Sequence, residues 1–215
     1  MLKLYGYWRS SAAYRVRIAC ALKQLDYENV SVHLVKDGGQ QHLPSYGMLN
    51  PNHLVPTLQD GDLLLNQSMA IIEYLDEAYP EPALLPAEPT QRAKVRAMAQ
   101  NLAVDCHPLN NLRVLKYLSS ELNLDDEAKN RWYHHWVKTA FKGFELQLEG
   151  TSGLFCVGDQ VTMADVCLVP QVYNAERFGV PMQDYPLING IVRRCRQLTA
   201  FAEAAPENQP DAVIS

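Results

Sequence analysis

Trp8-Arg9-Ser10-Ser11-Ala12-Ala13-Tyr14-Arg15-Val16-Arg17-Ile18 is the stretch from which the rest of the chain is read. The apolar run before it, Leu2 to Tyr7, is too short for anything but a strand. After it, Tyr14, Ile18, Ala21, Leu22 and Leu25 recur at helical spacing and predict one buried face. A strand therefore gives way to a helix, with two hydroxyls at the joint. The plain reading of a serine there is an N-cap, whose oxygen accepts from an otherwise unpaired backbone N–H. Two serines beside Arg9, Arg15 and Arg17, at the positive end of a helix dipole, also describe a place that stabilises an anion. None of these side chains is a strong nucleophile, so the anion would be one that a ligand brings.

Working outward, Asn29 to Leu34 alternates and predicts a second strand, with His33 a surface residue on it. Lys36-Asp37-Gly38-Gly39-Gln40-Gln41 reads as a turn into a loop or short helix. Two further strands, Leu54–Gln59 and Asp62–Leu65, flank Asp60-Gly61, a hairpin signal of the type I′ kind. Pro56 inside the first of them demands an edge or a special bend, because proline donates nothing to a ladder. A cis Val55–Pro56 bond satisfies that demand. Gln67-Ser68 then opens a helix with Met69, Ile72, Leu75 and Tyr79 on one face, and Ser68 reads first as another cap. The alternation of strand and helix implies parallel pairing through a crossover, and the hairpin adds antiparallel strands. The first domain, 1–80, is thus a small mixed sheet with helices packed on it.

Pro80, Pro82, Pro86 and Pro89 fall within ten residues and mark 81–89 as an extended linker. From 90 to 215 the pattern is helical. Val95, Met98, Leu102, Cys106, Leu109 and Leu112 form one face of a long helix that Pro108 should kink. Trp136, Ala140, Phe144 and Leu148 form another. Thr162-Met163-Ala164-Asp165 is a capping box with Asp in place of the usual Glu or Gln, opening a helix through Val166, Val169 and Val172. A last helix is expected from about Tyr185 to Ala205.

A net charge of −5 and the lack of any basic stripe argue against nucleic acid as a partner. No apolar run approaches the roughly 20 residues of a membrane span, and the N-terminus carries no signal-peptide pattern. The five cysteines, Cys20, Cys106, Cys156, Cys167 and Cys195, are scattered, with no Cys-x-x-Cys. Neither a metal site nor a dithiol motif is expected; buried free thiols in a reducing cytoplasm are.

The thioredoxin-like first domain, the Val55-Pro56 turn, Gln67-Ser68 at a helix start and the all-helical second domain together resemble a glutathione transferase. In detail the chain resembles the zeta class, the maleylacetoacetate isomerases and their maleylpyruvate relatives. Ser10-Ser11 followed by Tyr14-Arg15-Val16-Arg17-Ile18-Ala19 carries the likeness, as do Lys36 to Gln41, Asn50-Pro51, Gln67 to Leu75, Val157 to Asp165 and Val169 to Phe178. It covers nearly the whole chain. One position departs: the family commonly has Ser-Ser-Cys where this chain has Ser10-Ser11-Ala12. A redox or covalent role for that cysteine is therefore not expected here; polarisation of a thiolate by a serine hydroxyl is.

The resemblance implies glutathione as cofactor. Ser10, with Ser11 as the alternative, would polarise its sulfur beside Arg9. Ser68 and the helix start at Gln67 would hold its γ-glutamyl carboxylate. Val55, freed by Pro56, would pair with its cysteinyl backbone. Gln41 is a candidate for the glycyl end, against the plain reading of a solvated loop residue. His107 and Asn111, four apart on a helix, are implied as further glutathione contacts. Arg9, Arg113 and Arg177 are candidates for clamping a dianionic substrate, Arg177 also reading as a helix-end cation. His134-His135 and the cysteines are assigned no chemistry.

The implied reaction is cis–trans isomerisation of a maleyl keto acid in the breakdown of aromatic amino acids or aromatic acids. Maleylacetoacetate and maleylpyruvate remain open as substrates. Net conjugation or dehalogenation of small electrophiles such as α-haloacids is an alternative, and a non-catalytic assembly domain of the same fold another. A homodimer is implied by the resemblance alone.

Overall fold

In the computed structural model, which describes residues 1–213, β1 (Leu2–Gly6) buries Leu2, Leu4 and Gly6 and leaves Lys3 and Tyr5 half-buried. It pairs in parallel with β2 (Tyr27–Ser31) and antiparallel with β3 (Thr57–Asp60), which pairs antiparallel with β4 (Leu63–Asn66). The sheet order is β2-β1-β3-β4. The second strand lies earlier than the expected 29–34, because β1 ends at Gly6, whose carbonyl takes the last rung from the Val32 amide at 2.7 Å. His33 falls past it, where its Nδ1 accepts from the Lys36 amide at 2.9 Å.

The hairpin is also shifted by one residue. Asp60 pairs with Leu63, so the loop is Gly61-Asp62. Of these two only Gly61 has positive φ, +56°, which is the pattern of a type II′ rather than a type I′ turn. The Val55–Pro56 bond is cis as expected, and so is Glu81–Pro82.

Between β1 and β2 runs α1 (Ser11–Leu22), and here the expectation of a single buried face fails. Ser11 and every residue from Ala13 to Cys20 are buried, whereas Ala21, Leu22 and Leu25 are only half so. After the loop that carries the short α2 (Pro44–Gly47), the chain passes through the hairpin into α3 (Ser68–Ala78). Buried Ser68, Ile71, Ile72, Leu75 and Asp76 line α3; Met69 and Tyr79 of the expected face are half-buried.

The chain divides into two compact units, residues 1–84 with 197–213, and Leu85–Arg196. This departs from the boundaries expected at 80 and 90 in two places. Residues 80–84 are tied to the first unit by Lys23. Its ammonium donates to the carbonyls of Tyr79 and Pro82 at 2.7 and 2.9 Å and meets Asp76 Oδ1 at 2.8 Å; Asp76 Oδ1 also accepts from the Leu84 amide at 2.7 Å. Residues 197–213, read as part of the second domain, pack instead on α1.

In the second unit α4 (Pro89–Gln100) continues as a π-helical turn, Asn101–Cys106, and a 3₁₀ turn, His107–Asn110. The expected kink is thus a break. Pro108 has no N–H to give, and the helix stops where Asn111 turns extended (φ −68°, ψ 150°) and caps α5 (Leu112–Ser120). Val95, Met98, Leu102 and Cys106 are buried as expected; Leu109 and Leu112 are half-buried. The buried face of α6 (Asp126–Glu149) is Tyr133, Val137, Phe141, Phe144 and Leu148, so Trp136 and Ala140 lie on its border. The capping box forms at the start of α7 (Met163–Arg177), and burial pushes the Asp165 carboxyl up despite its bonds to the Cys156 and Thr162 amides. The expected last helix is two: α8 (Pro186–Arg196), and α9 (Thr199–Glu203) after an extended Leu198. Among the described residues no helix is long and apolar enough to cross a membrane.

Removing one partner of a buried ion pair strands the other. Lys23→Ala should therefore destabilise the protein by about 3–5 kcal/mol. In urea denaturation the double variant with Asp76→Ala should lose less than the sum of the two single losses.

Candidate active site

Ser10 is the N-cap of α1, with extended backbone (φ −69°, ψ 117°) and its Oγ accepting from the Ala13 amide at 3.2 Å. It is half-buried, whereas Ser11, the first helical residue, is 4% exposed. The cap reading therefore holds for Ser10, and Ser10 is the more accessible hydroxyl. Arg9 is half-buried with its guanidinium 4.2 Å from the Trp8 ring centroid, a cation–π contact. Arg15 and Arg17, expected to add positive charge at the joint, point into the fold instead. They are 1% and 3% exposed. Arg17 donates to the carbonyls of Ala204 and Trp8, each at 3.0 Å.

Arg15 Nη1 donates to Ser68 Oγ at 3.2 Å, which connects the start of α3 to α1. Ser68 is not the cap it was read as. It is the first residue of α3, buried, and the cap position belongs to exposed Gln67 at φ +68°, whose side chain makes no capping bond. Ser10 and Ser68 thus share one arrangement. A hydroxyl has one proton and two acceptor lone pairs. In each an internal N–H takes one lone pair and the hydroxyl proton is left over, so either serine can donate to a ligand. Above Ser68, the first N–H groups of α3 have no carbonyl within their own helix.

Val55 lies just outside the sheet, since the ladders of β3 begin at Thr57. A network that sequence reasoning missed holds it there. The Leu54 carbonyl accepts from Tyr46 Oη at 2.6 Å and Asn50 Nδ2 at 2.8 Å, and both donors also reach Thr57 Oγ1. The signal was the i,i+4 spacing of Tyr46 and Asn50 ahead of Pro51, with a threonine straight after Pro56. Pro56 itself is buried.

Gln41 is no solvated loop residue: it is 6% exposed. Its backbone carbonyl is bonded to His53 Nδ1 at 2.8 Å, and its Nε2 reaches the Leu34 carbonyl only at 3.5 Å. Its Oε1 is buried with no hydrogen-bond partner. Gly39, at φ +107°, makes this possible, because a Cβ there would lie 2.5 Å from Gln41 Nε2.

In the second unit His107 opens the 3₁₀ turn, and Asn111 Nδ2 lies 3.5 Å from its Nε2. The two do come together, across a helix break rather than along a helix. Asn111 Oδ1 is committed to the Arg113 amide at 3.1 Å as the cap of α5. The Arg113 side chain is exposed in the first turn of α5. Arg177 is the last residue of α7, its guanidinium 4.7 Å from the Phe178 ring centroid, and Phe178 stacks on Tyr133 at 4.0 Å. The position suits the helix-end reading as well as a ligand contact.

Residues 4–83 match the family model described as the N-terminal domain of glutathione S-transferase. A probable maleylacetoacetate isomerase of Vibrio cholerae is 58% identical over 211 residues, 98% of each chain. A solved holo maleylpyruvate isomerase, described as a bacterial glutathione S-transferase of the zeta class, has a TM-score of 0.95 at 44% identity, covering 98% of this chain and 100% of that one. The chain belongs to the maleylacetoacetate isomerase family of zeta-class glutathione transferases. Another member, the maleylacetoacetate isomerase of Methylobacterium extorquens AM1, was solved with malonate and GSH bound. Its TM-score is 0.95 at 40% identity, over 99% of this chain and 100% of that one.

The first unit of this zeta-class chain fits glutathione. It offers two hydroxyls with a proton to donate, a helix start for a carboxylate, a backbone segment at Val55 just outside the sheet, and a buried amide oxygen at Gln41 that lacks a donor. The last feature gives a test. Gln41→Ala removes a buried group whose oxygen is unsatisfied, so stability should stay within about 0.5 kcal/mol. Glutathione affinity measured by calorimetry should fall about tenfold, the equivalent of roughly 1.4 kcal/mol.

Proposed function

We propose that this chain isomerises a maleyl keto acid, maleylacetoacetate or maleylpyruvate, from cis to trans with glutathione as cofactor. The observation that carries the reading is the pair of serines, Ser10 and Ser68, each held by one internal N–H and each with a hydroxyl proton left to donate. Glutathione, when bound, supplies the thiolate that adds reversibly to the alkene and makes rotation about the former double bond cheap. Ser10 donates its proton toward the sulfur and lowers a thiol pKa that is roughly 8.5 in water. Ser68 donates to the γ-glutamyl carboxylate at the start of α3. The Val55 backbone pairs with the cysteinyl backbone as an added strand would, and Gln41 takes the glycyl end. His107, and Asn111 through its Nδ2, add contacts to the same cofactor.

The substrate is a dianion, and a buried carboxylate without a partner is costly. The chain is acidic overall, so local cations must supply the pairing. Arg9, Arg113 and Arg177 are the groups we assign to it, Arg177 taking one carboxylate through its two-pronged guanidinium. The small dicarboxylate that accompanies GSH in the Methylobacterium extorquens relative is in keeping with this charge pattern. We further propose a homodimer as the working form and the cytoplasm as its compartment. The five cysteines are all buried free thiols, which suits a reducing environment.

Spectrophotometric assay with each keto acid, with and without glutathione, is the direct test. Turnover only of α-haloacids would move the assignment to conjugation or dehalogenation. Ser10→Ala should raise the pKa of bound glutathione, read from thiolate absorbance against pH, and lower turnover while leaving glutathione affinity mostly intact. A titration shifted by Ser11→Ala and untouched by Ser10→Ala would give the role to the neighbour. Arg177→Ala should cost about 1.5–3 kcal/mol, roughly ten- to a hundredfold in kcat/KM, and more than Arg177→Lys. Conjugation of an uncharged chloroarene should hardly respond; an equal loss there assigns Arg177 to the helix end.

A further inference from the structure

The turn that delivers Ser10 is held from outside by the end of the chain. Tyr7 to Ser10 is closed by one local bond, Ser10 N–H to the Tyr7 carbonyl at 2.9 Å. The peptide groups on either side of Trp8 are held by distant side chains. The Trp8 amide donates to Asp211 Oδ2 at 3.2 Å, and its carbonyl accepts from Arg17 Nη2 at 3.0 Å. Each of these side chains has a second anchor. Asp211 Oδ2 also accepts from Ser31 Oγ at 2.9 Å, at the end of β2. Arg17 Nε donates to the Ala204 carbonyl at 3.0 Å, and Tyr14 Oη donates to the Phe201 carbonyl at 3.3 Å one turn earlier on α1. Phe201 is 1% exposed, so the segment is seated by a buried ring. The Trp8 ring is buried, but its indole N–H has no hydrogen-bond partner. Packing fills the space under the turn; the backbone bonds fix where the turn lies.

We propose that the segment 197–213 is a clasp that sets the position of Ser10, and that Asp211 is a positioning residue for thiol activation. The inference rests on the reading of Ser10 as the hydroxyl that polarises glutathione sulfur. The physical reason is the steepness of hydrogen bonding with angle and distance: a donor at the mouth of a helix is useful only while its turn stays put. A single residue, Arg9, separates Trp8 from Ser10, too little chain to absorb a displacement of the Trp8 peptide. A carboxylate oxygen receiving two donors resists such displacement from one side, and a doubly anchored guanidinium resists it from the other.

The full-length protein carries the test, with Asp211→Ala against Asp211→Asn. The asparagine has the same shape and keeps an acceptor oxygen, so the pair separates holding from charge. Amide hydrogen exchange over Trp8 to Ala13, measured without ligand, should speed up in Asp211→Ala and stay near the parent in Asp211→Asn. Thiolate absorbance of bound glutathione should titrate about half a unit or more higher in Asp211→Ala only. Its kcat should fall about threefold or more with the glutathione KM within about twofold. Faster exchange with an unmoved titration overturns the proposal, making the segment a structural strap alone. Equal effects of the alanine and asparagine variants overturn it in favour of charge. If Ser10→Ala leaves the titration unmoved, the Ser10 reading itself has failed; if Ser10→Ala moves it and Asp211→Ala does not, only the clasp has.

Discussion

The bond from the Ala13 amide to Ser10 Oγ is the constraint on which the first unit turns. It starts α1 by satisfying one of the amides that a helix leaves open, and in doing so it decides what the hydroxyl can still do. An oxygen that accepts one bond from inside the protein still has its proton to give to a ligand. Arg15 imposes the same condition on Ser68 across the interval between α1 and α3. Two serines 58 positions apart are thereby held by donors from the fold itself, one a backbone amide and the other a guanidinium, which keeps its charge at any ordinary pH.

Helix α1 can impose both conditions because it is anchored on all sides. Arg15 reaches α3, Arg17 and Tyr14 reach the C-terminal segment, and Lys23 secures the end of α3 and the first prolines after it. These are polar side chains in a buried helix, and burial makes each bond expensive to lose. The placement of the two serine oxygens is therefore set in part by contacts made far from them.

That same feature explains what could be read from the sequence and what could not. The strand–helix joint, the mixed sheet, the helix at Ser68 and the capping box at Thr162 are written in local spacing, and each formed near its expected place. Arg15 and Arg17 were misread as joint charges because their partners, Ser68 and Ala204, lie 53 and 187 residues away. Periodicity sees only the near neighbours of a residue. The split of the last helix at Leu198 escaped for the same reason, since the docking of α9 on α1 is a long-range event. Gln41 shows a third limit: its burial depends on Gly39 at positive φ, a backbone state that the letters Gly-Gly permit without requiring. Asn111 was legible as a partner of His107, but its capping of α5 needed the break after Pro108 to be seen.

The sulfur chemistry of the chain follows from burial as well. Where the family commonly has a cysteine after the two serines, this chain has half-buried Ala12. The five cysteines it does carry are buried. Burial pushes the Cys20 thiol up to about 12, and moves those of Cys156 and Cys195 upward too, the carboxyl of Asp165 adding to the effect at both. A thiol so placed stays protonated at neutral pH, out of reach of an electrophile and poor as a nucleophile. Lowering a thiol pKa requires the opposite environment: donors, a helix start and partial access. The first unit assembles these at Ser10 and nowhere near its own Cys20. The sulfur that such a site can activate must therefore arrive with a ligand, which is the division of labour that the Ser10-Ser11-Ala12 sequence, with its two hydroxyls and no thiol, already implies.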